Sequence, residues 1–221
     1  MHSVYGKCTS DELYKIIELI NPEVIFEELP SSLFDMFYND NLLNLIPNVP
    51  PEVKCVQKYK QSHKIKHVPV DIEENPNLSD SDISYMFDTF NKYDVYRKIE
   101  NEHYLLTAKE GFDYINSDKC LALFEEQRIA ERNIMEFEIH KNILFNIYKL
   151  FHEENDNREN SMLQNIYNYS KENQYNQAVF LIGTAHRKSI MQKITEFEGE
   201  AEIKINWTFY NGTLMNKKAY H

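Results

Sequence analysis

Val179-Phe180-Leu181-Ile182-Gly183-Thr184-Ala185-His186-Arg187-Lys188-Ser189-Ile190 is the stretch whose reading decides the fold. An apolar run ends in glycine, a polar turn carries a histidine, and Ile190, Ile194 and Phe197 then recur at helical spacing. That order reads as buried strand, tight turn and helix. In an open α/β sheet such a junction lies at the carboxyl end of a strand, where these sheets place their ligands. His186 is therefore the leading candidate for chemistry. The plain alternative is a histidine that caps the following helix or bonds a loop.

Working outward, Gly199 stops the helix, and Ile203, Ile205, Trp207 and Phe209 alternate with polar residues, the period of a half-exposed final strand. Upstream, Met162, Leu163, Ile166, Tyr167 and Ser170 predict a helix, set off by a polar break at Asp156 to Asn160. Asp118 to His152 carries the longest helical signal, with Leu121, Phe124, Met135, Ile139 and Ile143 on the buried face. Arg128 and Arg132, four apart, fall on or beside that face. Arginines there either extend to solvent or reach an anionic group.

At the other end, Thr9 and Glu12 frame a capping box before Leu13, Ile16, Ile17 and Ile20, so a helix runs to Asn21-Pro22. Val24-Ile25-Phe26 is a short strand that ends in Glu27 and Glu28. Alternation puts Glu27 opposite its two neighbours, on a solvated edge. Leu33 to Leu45 predicts one or two short helices and Glu52 to Gln61 another. Lys66 to Asp71 is a second acid-ended strand, which Pro69 either places at a sheet edge or distorts. The polar stretch 73–119 reads as a helical insertion. The elements together make one α/β domain over residues 1–221: a small, mainly parallel sheet flanked by helices.

Composition removes several classes of function. A net charge of -11 leaves no basic face for nucleic-acid phosphates or an anionic membrane. Five glycines, none clustered, build no phosphate-cradling loop. Cys8, Cys55 and Cys120 are odd in number and contain no CxxC pair, as expected of reduced cysteines in a cytoplasmic protein. No run of about 18 apolar residues is present, and no basic-then-apolar leader opens the chain, so neither a membrane span nor secretion is expected.

Gly-Thr-Ala-His at 183–186, Pro-Glu-Val-Ile-Phe-Glu-Glu-Leu at 22–29, the acid-ended strand at Val68 to Asp71 and Glu-Arg-Asn-Ile-Met at 131–135 occur in an order that resembles the TraB, Tiki and PrgY group. That group is related to the ChaN-like and erythromycin-esterase-like proteins. The resemblance implies their α/β fold and matches His186 to the histidine of a second Gly-x-x-His motif, Glu28 to a strand-end glutamate, Arg132 to a helix arginine and Asp71 to a strand-end aspartate. Ile72 stands where an arginine often follows that aspartate. His2 stands where the first motif's histidine belongs, but Met1-His2-Ser3 lacks the strand and glycine before it. The resemblance therefore predicts an upstream strand of about five to seven apolar residues, ending in glycine and one further residue. Without it the chain resembles a degenerate copy.

The activity implied is metal-dependent hydrolysis of a peptide or ester bond. His2, Glu28 and His186 would hold a divalent transition metal (manganese, cobalt or zinc), and Arg132 would hold a carboxylate or a developing oxyanion. The esterase-like branch implies His and Glu as general bases without a metal. Relatives that sequester a peptide signal or haem imply the alternative of a non-catalytic binding module. The expected partner is a small-molecule or peptide substrate, and apolar surface beside the Val179 strand is either left exposed or covered by self-association as a homo-oligomer.

Overall fold

The structure, a computed structural model, describes residues 6–38, 49–73, 78–200 and 202–212. Thr9 caps α1 (Ser10–Ile20) by accepting the Glu12 N–H at 3.2 Å. Glu12 itself turns outward and pairs with Lys15 at 2.6 Å, in place of the reciprocal bond of a capping box. Asn21 closes the helix at φ 50°, a left-handed conformation that asparagine adopts more readily than most residues. Thr9→Ala is expected to cost about 1 kcal/mol, read as a lower urea midpoint at unchanged slope. Thr9→Asp should behave like wild type, and an equal loss in both variants would count against the cap.

β1 (Val24–Pro30) follows, then α2 (Ser31–Tyr38), α3 (Pro51–Ser62) and β2 (Lys66–Asp71). α3 starts with proline at its first position, where a missing N–H breaks no helical bond. β3 (Ala178–Leu181) completes a three-stranded, all-parallel sheet in the order β2-β1-β3. Phe26 is opposite Val68 on one side and Phe180 on the other. Pro69 therefore lies on an edge strand, where its missing donor is tolerated. Parallel pairing brings the carboxyl ends of all three strands to one rim, with Glu28, Asp71 and the Gly183 turn on it.

Helices cover both faces of the sheet, which makes the chain an α/β protein. Leu13 and Ile17 of α1 pack with Cys55, Val56 and Tyr59 of α3 against Ile25. On the opposite face Met162 and Ile166 pack against Val24, Phe26 and Val70. Between β2 and β3 run α4 (Asp80–Phe90), α5 (Asp94–Glu110), the single-turn α6 (Phe112–Ile115), α7 (Asp118–Phe137) and α8 (Lys141–Glu172). Ser79 and Ser117 cap α4 and α7 through their hydroxyls. Met86, Phe90, Tyr96, Ile134, Met135, Leu144 and Ile147 give these helices a separate core. This helical lobe therefore reaches beyond residue 119, into the first half of α8. At 32 residues, α8 is about 48 Å long, long enough to serve both cores. The short 3₁₀ turn Thr184–His186 then leads into α9 (Arg187–Glu200).

Four expectations are corrected. The helical signal of 118–152 breaks at Glu138 to His140, and Ile139 and Ile143 beside the break are 91% and 58% exposed. The polar stretch 156–160 is no break but lies inside α8. Glu27 is buried at 3% exposure, because β1 is the central strand and both of its faces are covered by helices. Residues 203–209 alternate between half-buried and exposed up to Thr208, and Ile205 and Trp207 reach the core, yet the segment pairs with no strand among the described residues. Alternation reports one-sided burial, and this segment is buried on one side without a ladder. The predicted helices of Leu33 to Leu45 are seen as α2 up to Tyr38, and the remainder falls outside the described residues. No helix among the described residues is long and apolar enough to cross a membrane.

Candidate functional site

Glu28 and His186 meet at the carboxyl rim of the sheet. His186 Nε2 is 3.4 Å from Glu28 Oε1, and both side chains are nearly enclosed. The Gly183 N–H donates to Glu28 Oε2 at 2.6 Å, tying the turn after β3 to the end of β1. Asp71 lies in the same cluster. Between the two carboxylates sits Arg158, which donates to Glu28 Oε1 at 2.8 Å and to Asp71 Oδ2 at 2.6 Å. Its Nε also reaches the Asp71 carboxylate, at 3.2 Å to Oδ2.

The other nitrogen of His186 is held as well. Nδ1 is 2.7 Å from Glu159 Oε1, so the ring is fixed between two carboxylates. Ser189 donates to the second oxygen of Glu159, and Lys193 lies 3.9 Å from it. Lys193 is itself buried and donates to Asp156 Oδ1 at 2.6 Å and Asn160 Oδ1 at 2.7 Å. Burial by itself would lower the His186 pKa, but hydrogen bonds and charge from Glu159 and Glu28 outweigh it and raise the pKa to about 9. At neutral pH the imidazole therefore holds a proton between the two acids.

Arg132 is not part of this cluster. It lies on the exposed face of α7, near Glu125 and Glu131, and the cluster's arginine is Arg158. The buried member of the Glu-Arg-Asn run is Glu131, which accepts from Tyr148 at 3.2 Å and is pushed up to about 7 by burial. His2 lies outside the described residues. Arg158 and Glu159 lie in a run of charged and amide residues whose composition resembles a loop. The signal that finds them is helical phase. Ile147, Phe151, Asn155, Arg158 and Met162 continue at spacings of three and four, so the apolar stripe passes through the polar segment without losing register.

Glu27 makes a second, smaller polar cluster. Its Oε2 accepts from Tyr38 at 2.6 Å and lies 2.7 Å from His67 Nε2. The His67 ring packs against Phe34 and Tyr38. This pairing explains how a central strand carries a buried acid.

His186 Nε2 and Glu28 Oε1 could be neighbouring ligands of a metal. Bonds of about 2.0–2.1 Å to a tetrahedral ion separate two donors by about 3.3 Å, close to the distance seen. A carboxylate on the far nitrogen, as Glu159 provides, is the usual support for a metal-binding histidine. These are two ligands, and catalytic sites generally use three. Among the described residues no group of three or more His, Cys, Asp or Glu side chains could hold a metal ion. No protein-family model, characterised protein sequence or solved structure matches the chain.

Proposed function

We propose that this chain hydrolyses a peptide or ester bond at the Glu28–His186–Glu159 cluster, with a divalent transition metal (manganese, cobalt or zinc) held by His186 Nε2 and Glu28 Oε1. The observation that carries this reading is the ring of His186, locked at Nδ1 by Glu159 while Nε2 faces Glu28 across 3.4 Å. When bound, such an ion would lower the pKa of a water and polarise a scissile carbonyl. The chain's own residues orient that chemistry. Glu159 fixes the ring and its tautomer, Arg158 and the Gly183 N–H hold the Glu28 carboxylate in place, and Asp71 anchors Arg158 from the far side. Arg158, whose side chain is 25% exposed, takes the anion-holding role that the resemblance implied for Arg132.

Calorimetric titration of the purified chain with Mn²⁺, Co²⁺ or Zn²⁺ at pH 7 tests the proposal. We expect one saturable site that releases close to one proton, because metal displaces the proton on His186. Glu159→Gln should weaken binding by about 10–100-fold, and His186→Ala by at least as much. Saturable binding that neither variant disturbs would remove the metal from this site.

A second reading, a non-catalytic ligand-binding module, is favoured by one observation. Both oxygens of Glu28 already accept strong hydrogen bonds, one of them from a cation. Absence of metal binding and of ester or peptide hydrolysis, with a folded protein, would leave this reading in place.

A further inference from the structure

The outer edge of β3 lies in a cavity of about 1630 Å³ that also reaches Glu28 and His186. The volume exceeds the roughly 300–1,000 Å³ of a typical small-molecule pocket. One wall is apolar through Ile16, Ile20 and Phe112, and the opposite wall through Ile205 and Trp207. β3 is as apolar as a fully enclosed strand, yet all four of its residues are only half-buried, whereas the first four of β1 are buried. Among the described residues no strand pairs with this edge. A parallel strand this apolar normally has neighbours on both sides, and an open edge presents main-chain donors and acceptors to any extended chain.

The occupant's chemistry follows from the lining. A chain laid beside β3 directs alternate side chains into the two apolar walls, so it must be apolar on both faces over about five residues, the length of an ordinary strand. At the carboxyl end of β3 the cavity meets Arg187, whose guanidinium lies over the Phe209 ring and whose buried Nε has no hydrogen-bond partner among the described residues. A half-buried arginine with no ion pair among the described residues, at the end of an apolar slot, suits a carboxylate. We infer that this cavity binds an extended apolar peptide as a fourth strand on β3, with a carboxylate of the peptide on Arg187. Binding of this kind is strand addition to a sheet edge. Naming that peptide as a substrate rests on the hydrolase reading above, while its binding does not.

The chain contains a single tryptophan, Trp207, which lines the cavity and reports binding directly. The probe is acetyl-Thr-Val-Ile-Val-Leu with a free carboxylate, compared with its C-terminal amide and with a version N-methylated at alternate residues. The acid is expected to shift Trp207 emission saturably and to bind at least tenfold tighter than the amide, and Arg187→Gln should erase that difference. N-methylation, which removes main-chain donors, should weaken binding at least tenfold. Equal binding of acid and amide, or indifference to N-methylation, overturns the inference. So does hydrogen exchange that finds β3's outward amides already protected in the peptide-free protein, or sedimentation that shows a second copy covering the edge. Both measurements on the wild-type chain separate the two proposals: peptide binding without metal binding or hydrolysis leaves the peptide site and fails the hydrolase reading, and metal-dependent hydrolysis with equal binding of acid and amide does the reverse.

Discussion

Replacing Arg158 with alanine is expected to destabilise the chain by about 3–5 kcal/mol at pH 7. Glu28 and Asp71 are 8% and 3% exposed at their side chains, and Arg158 is the cation that binds both. Without it, two carboxylates stay buried at the ends of adjacent strands with no arginine between them, although Glu28 keeps the Gly183 N–H and His186, and Asp71 keeps the Ile72 N–H. Arg158 is itself 25% exposed, and entering water would restore part of the loss, which favours the lower end of the range. Arg158→Lys should fall between wild type and alanine, since an ammonium keeps the charge but lacks the planar fork that spans two acids. The pH dependence follows from the sign of the change. The deficit comes from charge left buried, so it is largest where the carboxylates are ionised and shrinks as acid neutralises them. Urea unfolding at pH 7 and 4.5 measures both effects. A deficit below about 0.5 kcal/mol, the ordinary scatter of surface changes, would mean that the cluster is not held by this arginine.

The second large effect belongs to His186. Its folded pKa, about 9, lies above the unfolded value of 6.5, so the stability it contributes is fully present below pH 6.5 and is lost as pH rises through about 9. For a side chain this enclosed the shift corresponds to about 3 kcal/mol in the metal-free protein. Glu131, raised to about 7 by burial, also loses stability as pH climbs, but most of that loss is complete by pH 7.5. Burial raises the Cys8 and Cys55 thiols, to about 11 and about 12, so the cysteines act only above pH 9. The fall between pH 7.5 and 9 therefore reports His186. Glu159→Gln removes the charge bound to Nδ1 and should flatten this part of the profile, moving the imidazole titration seen by NMR toward its ordinary value. A His186 imidazole that titrates below pH 7 in the wild-type chain would contradict the double pairing with Glu28 and Glu159.

These two expectations involve residues of very different visibility. Glu28 and His186 were legible because each sits at the end of a short apolar run, and in a parallel sheet the ends of such runs share one rim. Arg158 and Glu159 are as central to the cluster as either, but they lie within a run of polar residues where composition suggests a loop. Only the phase of the surrounding stripe marks them as inward-facing. Arg132 is the converse case: the residue to which resemblance gives a role is one that helical phase turns to solvent. In each case the deciding quantity is the direction of a side chain around a helix, which residue type by itself does not report.

Periodicity and punctuation in the chain determined the elements. A capped first helix, two acid-ended strands, the strand-turn-helix around His186 and the α/β class all follow from local spacing, because a helix or strand repeats its own geometry every few residues. Which strand lies in the centre, and which merely lies against the core, depended on neighbours distant in sequence. β1 became central because β2 and β3 both pair with it, and that pairing buried Glu27, which alternation had placed in water. Ile205 and Trp207 kept their inward-facing alternation but, among the described residues, found no strand to pair with, and the apolar β3 lies at an edge. Burial of one face leaves a local pattern in the sequence. Hydrogen-bond partnership across strands leaves none, so the tertiary structure alone decided the sheet order, the open edge and the arginine that joins the two strand-end acids.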